Sequence, residues 1–286
     1  MATHDTRSQN PHNPQNPRTR QGPQDPHPYD PALFARRASS FGAQATAYAE
    51  HRPDYPEAAV RWALEPALRG RQDASLDVLD LAAGTGKLTT SLVALGHRVT
   101  AVEPDPGMRA ELRAQVPEAT ALDGSAERIP LPDASVDAVL VGQAFHWFDQ
   151  ERALPEIARV LRPGGSLAGL WNTDDDRVDW IAELGRTVGK RVGFIDWSPS
   201  RTIDPHLAFS PLDNADFPHH QRRTTDSLVA TVATHSHVLV LEPAERAEVL
   251  GRVRELLASR PETANGEFDL RLVTRVHRCV RTPDPS

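Results

Sequence analysis

Two carboxylates and a glycine turn are the residues of this chain best placed to do chemistry. In Val78-Leu79-Asp80-Leu81-Ala82-Ala83-Gly84-Thr85-Gly86 an apolar run ends in an acid and passes into small residues. Nineteen positions after Gly84 a second apolar run, Ala101-Val102, ends in Glu103. Apolar runs of this kind read as strands buried on both faces, and glycines after them let the backbone turn tightly and approach a ligand. An acid about 20 residues beyond such a turn lies where it can bond the ribose of a nucleoside cofactor. The spacing therefore points to nucleoside-cofactor binding.

Several cofactor classes use a glycine turn, and the flanking residues separate them. A phosphate loop needs Gly-x-x-x-x-Gly-Lys-Ser/Thr, but Leu81 holds the place of its first glycine and Leu88 follows Lys87. A dinucleotide fingerprint needs a small third residue where Thr89 stands. Asp80 would also repel a pyrophosphate. An acid there suits a ligand that is positive at that point. S-adenosylmethionine carries a sulfonium and an ammonium, has no phosphate, and offers ribose hydroxyls to Glu103.

The elements that must hold these residues alternate along the chain. Leu76 to Leu81 reads as a first strand and Thr89 to Leu95 as its helix. Arg98 to Val102, Thr120 to Leu122, Val136 to Val141 and Ser166 to Trp171 read as further strands, with helices across Pro106 to Gln115 and Arg152 to Leu161, the latter stopped by Pro163-Gly164-Gly165. Such alternation predicts a Rossmann-like α/β fold, a mainly parallel seven-stranded sheet with helices on both faces. Ligands then lie at the carboxyl ends of the strands, where Gly84, Glu103, Ser125 to Glu127 and Gln143 to Phe148 fall. Beyond Asn172 we expect a helix over Trp180 to Val192 and helices near Ser227 to Thr234 and Pro243 to Ala258. Late strands at Asp216 to Thr224 and Leu270 to Val280 are expected to complete the same sheet as an antiparallel, hairpin-like edge.

Upstream, residues 1–30 are rich in Pro, Asn, Gln and His and nearly free of aliphatics. They read as a disordered tail, or as an arm that folds on contact. Residues 31–70 form a helical cap, with one apolar set around Leu33, Phe34, Ala38 and Phe41 and another from Ala58 to Leu64. Between them, Tyr48, Arg52 and Tyr55 belong to a proline-fixed turn that is either a packed connector or a wall of the cofactor pocket.

Four stretches together resemble the class I S-adenosylmethionine-dependent methyltransferases of the small-molecule type 11 group. They are Val78 to Gly86, Glu103-Pro104-Asp105-Pro106-Gly107-Met108, Gly124 to Asp137, and Val160-Leu161-Arg162-Pro163-Gly164-Gly165. Gln143-Ala144-Phe145-His146-Trp147-Phe148-Asp149 and Arg52-Pro53-Asp54-Tyr55-Pro56 are similar to its trans-aconitate methyltransferase-like subgroup. The resemblance implies that residues 71–172 bind S-adenosylmethionine and that 173–286 complete the sheet and the acceptor pocket. Asp80, Gly84 and Gly86 would line the methionine end, with Ala82 and Thr85 in the same loop, and Glu103 would hold the ribose hydroxyls. Pro104 and Met108 would pack the adenine, Ser125 and Ala126 would meet its edge beside Glu127, and Gln143 and Ala144 would close the floor. Tyr48 and Arg52 complete the cofactor-binding set. The family usually has an aspartate where Ser125 stands, and a serine hydroxyl can still accept the bond from the adenine amino group.

Methyl transfer of this kind requires alignment in a dry site and needs neither a metal nor a covalent intermediate. A base helps only where the acceptor must lose a proton. His146 is the candidate catalytic base, with a packed histidine beside the cofactor as the other reading. His237, in Thr234-His235-Ser236-His237-Val238, stands where relatives carry a tyrosine, and reads either as a second titratable group or as part of a polar surface loop. Asp174-Asp175-Asp176 reads as a solvated helix start rather than a metal site. The same cofactor site is compatible with aminocarboxypropyl transfer, with ring closure releasing methylthioadenosine, or with a non-catalytic binding module.

Composition bounds these readings. The 286 residues are 39% hydrophobic and 25% charged, as in a soluble protein, and the net charge of −7 argues against nucleic acid as the partner. A single cysteine, Cys279, rules out a disulfide framework and suits a reducing cytoplasm. No apolar run near 18 residues predicts a membrane span, and no leader is expected. The expected partner is a small-molecule methyl acceptor, met by a monomer or a homodimer.

Overall fold

The computed structural model describes residues 53–71, 75–189, 203–235, 238 and 241–283. The tail over 1–30, the Leu33 to Phe41 set, Tyr48, Arg52 and His237 lie outside the described residues. Strands β1 (Asp77–Leu81) and β4 (Val136–Gly142) are buried at all but one position each, as their unbroken apolar sequences require. They form the centre of a seven-stranded sheet of order β3-β2-β1-β4-β5-β7-β6. β2 (Arg98–Val102), β3 (Thr120–Leu122) and β5 (Leu161–Asp174) run parallel to them. β7 (Glu267–Val280) is antiparallel to β5, and β6 (Asp213–Thr224) is antiparallel to β7.

The helices are α1 (Glu57–Leu68), α2 (Lys87–Ala94), α3 (Pro106–Gln115), α4 (Gln150–Val160), α5 (Asp179–Thr187), α6 (Thr225–Ala233) and α7 (Pro243–Ser259). Their apolar stripes divide the core in three. Leu154, Ile157 and Val160 of α4 pack on one face of the sheet with Leu79, Val139 and Leu167. Ala59, Ala63 and Leu64 of α1, with Leu88 and Leu92 of α2, cover the other face over Val78, Leu140, Leu170 and Val276. Helices α5, α6 and α7 close a third cluster around Phe268, Leu270 and Leu272 at the start of β7.

Most element bounds follow the sequence pattern, and the departures have local causes. β2, α3 and β3 begin and end where expected. Asp105 caps α3 by accepting the Met108 N–H at 2.8 Å, and Pro106 takes the first helical position. β5 is longer than Ser166 to Trp171, because Pro163-Gly164-Gly165 forms a bulge inside the strand rather than a gap before it. The register with β4 passes from Val136↔Leu161 to Ala138↔Ser166, and Gly164 adopts φ +79°.

The antiparallel edge is present, but it is not a hairpin. β7, the later strand, lies between β5 and β6, and the chain reaches it from β6 through α6 and α7. The Asp174 to Asp176 run does not open a helix either. Asp174 ends β5, Asp175 is buried and takes Arg177 Nε at 2.6 Å, and α5 begins only at Asp179. Among the described residues no group of three or more His, Cys, Asp or Glu is arranged to hold a metal ion, and no helix is long and apolar enough to cross a membrane.

Candidate active site

At the carboxyl ends of β1 and β2 the two acids meet across the glycine turn. Glu103 is 6% exposed and accepts the Gly84 N–H at 2.8 Å and the Asp105 N–H at 2.9 Å, so one carboxylate fixes both loops. Asp80 is 1% exposed. Its Oδ2 accepts the Thr89 hydroxyl at 2.6 Å, while Oδ1 is buried with no hydrogen-bond partner among the described residues, as is Thr85 Oγ1. Thr89, whose bulk argues against dinucleotide binding, is thus the side chain that orients Asp80 from the first turns of α2.

Burial pushes the Asp80 carboxyl up to about 7, against the pull of the Thr89 hydroxyl and with help from the nearby Glu103 charge. Burial also raises Glu103, although the Asp105 and Gly84 N–H groups oppose it. The opposite end of the sheet behaves differently. There Asp137 is also buried, but the Asp77 N–H and the Arg162 guanidinium hold its carboxyl below the usual range, with Arg71 and Arg162 at 2.6 and 2.8 Å. Among the described residues neither Asp80 nor Glu103 has a salt-bridge partner. The carboxyl ends of the strands thus carry buried acids without an ion-pair partner among the described residues, and an unpaired buried charge is costly unless a cation arrives to meet it.

The backbone around these acids is shaped for close approach. Gly84 and Gly86 have φ of +57° and +93°, and Ala82 and Gln143, at the ends of β1 and β4, hold φ of +58° and +59° despite their side chains. A Cβ at Gly86 would lie 3.2 Å from Leu112 Cγ and 3.3 Å from Val116 Cγ2. Gly86→Ala is therefore expected to destabilise the fold by about 2 kcal/mol, from strained φ and overpacking together. Differential scanning calorimetry should show the melting temperature fall by roughly 4–8 °C. An unchanged melting curve would show that α3 yields without penalty.

The structure gathers most of the sequence-assigned set. Met108 is buried, with Sδ 3.9 Å from the place of a Gly84 Cβ, and Pro104 is exposed beside it. Ala126 is buried, Ser125 is half-buried, and Glu127 turns toward α4, accepting the Asp149 N–H at 3.1 Å. Gln143 donates its N–H to Leu170 O at 2.9 Å and its Nε2 to Asn172 O at 2.9 Å, with half-buried Ala144 following. His146 is exposed on a single 3₁₀ turn, Phe145–Trp147, its ring 4.6 Å from that of Trp147.

The described part of the proline-fixed turn also reaches this floor. Tyr55 is buried over Gly142, where a Cβ would lie 2.6 Å from its hydroxyl, and Asp54 takes Lys87 Nζ at 2.9 Å. Sequence reasoning missed Asn172, which donates Nδ2 to Pro53 O at 3.3 Å and Asp54 O at 3.2 Å and so ties the turn to β5. No local pattern marks it. Only its place one residue past the apolar run Ser166 to Trp171 hints at a strand-end polar group.

The chain is also similar to known proteins. Residues 79–169 match a family model described as a methyltransferase domain. The chain is 45% identical over 227 residues to an uncharacterized methyltransferase of Mycobacterium tuberculosis, covering 79% of this chain and 88% of that protein. It is 33% identical over 231 residues to an uncharacterized methyltransferase-like protein of Schizosaccharomyces pombe, covering 79% and 89%. Among solved structures, that of a proposed type II methyltransferase from Anaeromyxobacter dehalogenans superposes with a TM-score of 0.65 at 26% identity, covering 82% of this chain and 99% of the other.

Proposed function

This chain belongs to the class I S-adenosylmethionine-dependent methyltransferases, and from that premise we propose that it methylates a small molecule seated over the carboxyl ends of β4 and β5. The observation that carries the reading is the pair of buried acids, Asp80 and Glu103, with no salt-bridge partner among the described residues at the glycine turn. These residues suit the cofactor. Asp80 Oδ1 and Thr85 Oγ1 are buried polar atoms lacking a bond that donors of the ligand can supply. Bound S-adenosylmethionine supplies a methyl group already activated by its sulfonium.

The chain's own residues then bind, orient and exclude water. Asp80 meets the positive methionine end, and Glu103 keeps lone pairs for ribose hydroxyls while its backbone bonds hold the loop. Met108 and Ala126 pack the adenine, with Ser125 at its edge. Gln143 and Ala144, with Tyr55 behind them, form the floor that keeps the reacting region dry. His146, exposed just beyond the end of β4, would face an acceptor and take a proton where one must be lost. The net charge of −7 supports a small acceptor over nucleic acid, and the trans-aconitate-like motifs suggest a carboxylate or secondary metabolite. The lone Cys279, buried and with its thiol pushed up to about 12 by burial, is consistent with a cytoplasmic protein.

Incubating the protein with S-adenosylmethionine and a small-molecule ultrafiltrate of cell extract tests this directly. Accumulation of S-adenosylhomocysteine is expected. Methylthioadenosine in its place would indicate ring closure or aminocarboxypropyl transfer, and tight cofactor binding with neither product would leave a binding module.

A further inference from the structure

Beyond the cofactor pocket, one face of the late strands carries a chain of hydrogen bonds whose proton positions are fixed by counting donors. Asn172 on β5 spends both Nδ2 protons on Pro53 O and Asp54 O, so its Oδ1 is an acceptor. Thr274 on β7 places its hydroxyl 2.5 Å from that Oδ1 and must donate its single proton there. The same hydroxyl lies 3.0 Å from Nε2 of His219 on β6, and having no second proton it can only accept from that nitrogen. His219 is therefore the Nε2–H tautomer, and Nδ1 carries a bare lone pair with no hydrogen-bond partner among the described residues.

The ring's surroundings keep it neutral. Burial lowers its proton affinity below the usual 6.5, the neighbouring His220 adds to this, and the Asp54 carboxylate opposes both. Asp54 is itself bridged to Lys87 at 2.9 Å. Asp174 shares the cross-strand row of His219 through Leu272, and Arg223 lies on the same face of β6. Two residues along that face, between His219 and Arg223, Gln221 presents a second acceptor. Its Oε1 is buried and has no hydrogen-bond partner. The register Gln221↔Leu270 and His219↔Leu272 puts both acceptors in cross-strand rows whose β7 members are already buried under α5, α6 and α7.

Two acceptors without a hydrogen-bond partner among the described residues, two positions apart on one face of β6, are complementary to a small molecule with O–H or N–H donors. This face is joined to the cofactor floor, because Gln143 donates to the backbone oxygen of Asn172, the first member of the chain. We infer that His219 and Gln221 form the recognition wall for the methyl acceptor, binding it through its hydroxyl or amino donors. The role is specificity, not chemistry, and it rests on the methyltransferase reading above.

The test separates the two. Wild-type protein, titrated with dilutions of the small-molecule ultrafiltrate and assayed for S-adenosylhomocysteine, must first turn over; no turnover removes the small-molecule reading, and this wall with it. Given turnover, His219→Gln keeps an amide at the Nε2 position toward Thr274 but removes the Nδ1 acceptor. It is expected to raise the half-saturating concentration by about tenfold, with kcat and S-adenosylmethionine affinity within about twofold. His219→Asn, whose amide oxygen stands near the place of Nδ1, is expected to recover part of that loss. Imidazole ¹⁵N NMR of S-adenosylhomocysteine-loaded protein supplies a readout apart from activity, with a protonated Nε2, an unprotonated Nδ1, and a shift of Nδ1 alone on adding ultrafiltrate. An Nδ1–H tautomer, or unchanged saturation in His219→Gln, overturns the inference while leaving the methyltransferase reading intact.

Discussion

Asp80→Asn is expected to weaken S-adenosylmethionine binding by roughly 10–100-fold and S-adenosylhomocysteine binding by less. The variant removes a buried anion but keeps the shape and the oxygen facing the Thr89 hydroxyl, and a charge-assisted contact is worth about 1.5–3 kcal/mol. The two ligands share the ammonium and differ by the sulfonium charge, so S-adenosylmethionine should register the larger loss. The wild-type protein should also show pH linkage. With the Asp80 carboxyl at about 7, the apo site is half-protonated near neutrality, so cation binding should strengthen as pH rises toward 7 and should release a proton. Calorimetry in buffers of different ionisation enthalpy reads that proton. No release, or equal affinity in the variant, would remove Asp80 from the site.

The same substitution has a stability consequence of opposite direction. A carboxyl raised from 3.8 to about 7 on folding contributes stability that is fully present below pH 3.8 and is lost as pH rises through about 7. That loss is on the order of 4 kcal/mol at its plateau. The asparagine variant does not suffer it, so its melting temperature should pull ahead of wild type between pH 4 and about 7 and run parallel above.

Glu103→Gln makes the contrasting case. The amide can accept only one of the two N–H groups, from Gly84 and Asp105, that the carboxylate now satisfies, and it turns an N–H₂ toward the other. The expected result is a loss of about 2–3 kcal/mol in stability and roughly 100-fold in affinity. The loss should be equal for S-adenosylmethionine and S-adenosylhomocysteine, because the ribose is common to both. A variant that discriminated between the two ligands would show that Glu103 acts on the sulfonium rather than on the loop and the sugar.

The contrast between these acids mirrors what could be read before the fold was known. Asp80 and Glu103 were legible because each ends an apolar run and their spacing matches a β-turn-α-β unit, a relation carried by local sequence. The parallel core followed for the same reason, since Pro106, Gly96 and Asp105 punctuate it. The β5 bulge was misread because Pro163-Gly164-Gly165 is a stop signal everywhere except inside a strand that can skip register. The partners contributed across distant strands, Asn172, Thr274 and His219, were invisible. Their meeting depends on the β5, β7 and β6 registers, and β7 enters the sheet out of chain order, so no local period announces it. The Asp174 to Asp176 run misled for a related reason, because Arg177 supplies the charge balance that the sequence assigned to a helix dipole.

The placement of β7 also sets an order of assembly. β1 to β4 and both cofactor acids come from one continuous stretch, Asp77 to Gly142, that can pair as it leaves the ribosome. β6 cannot, because its only strand partner among the described residues is β7, and α6 and α7 must be synthesised in between. The nascent chain is thus expected to hold the paired strands β1 to β4 beside an unpaired twelve-residue strand. The long-range closure that docks β7 between β5 and β6 is expected to be the slow, aggregation-exposed step. If His219 and Gln221 recognise the acceptor as proposed, selectivity for it is the last property the molecule acquires as it folds.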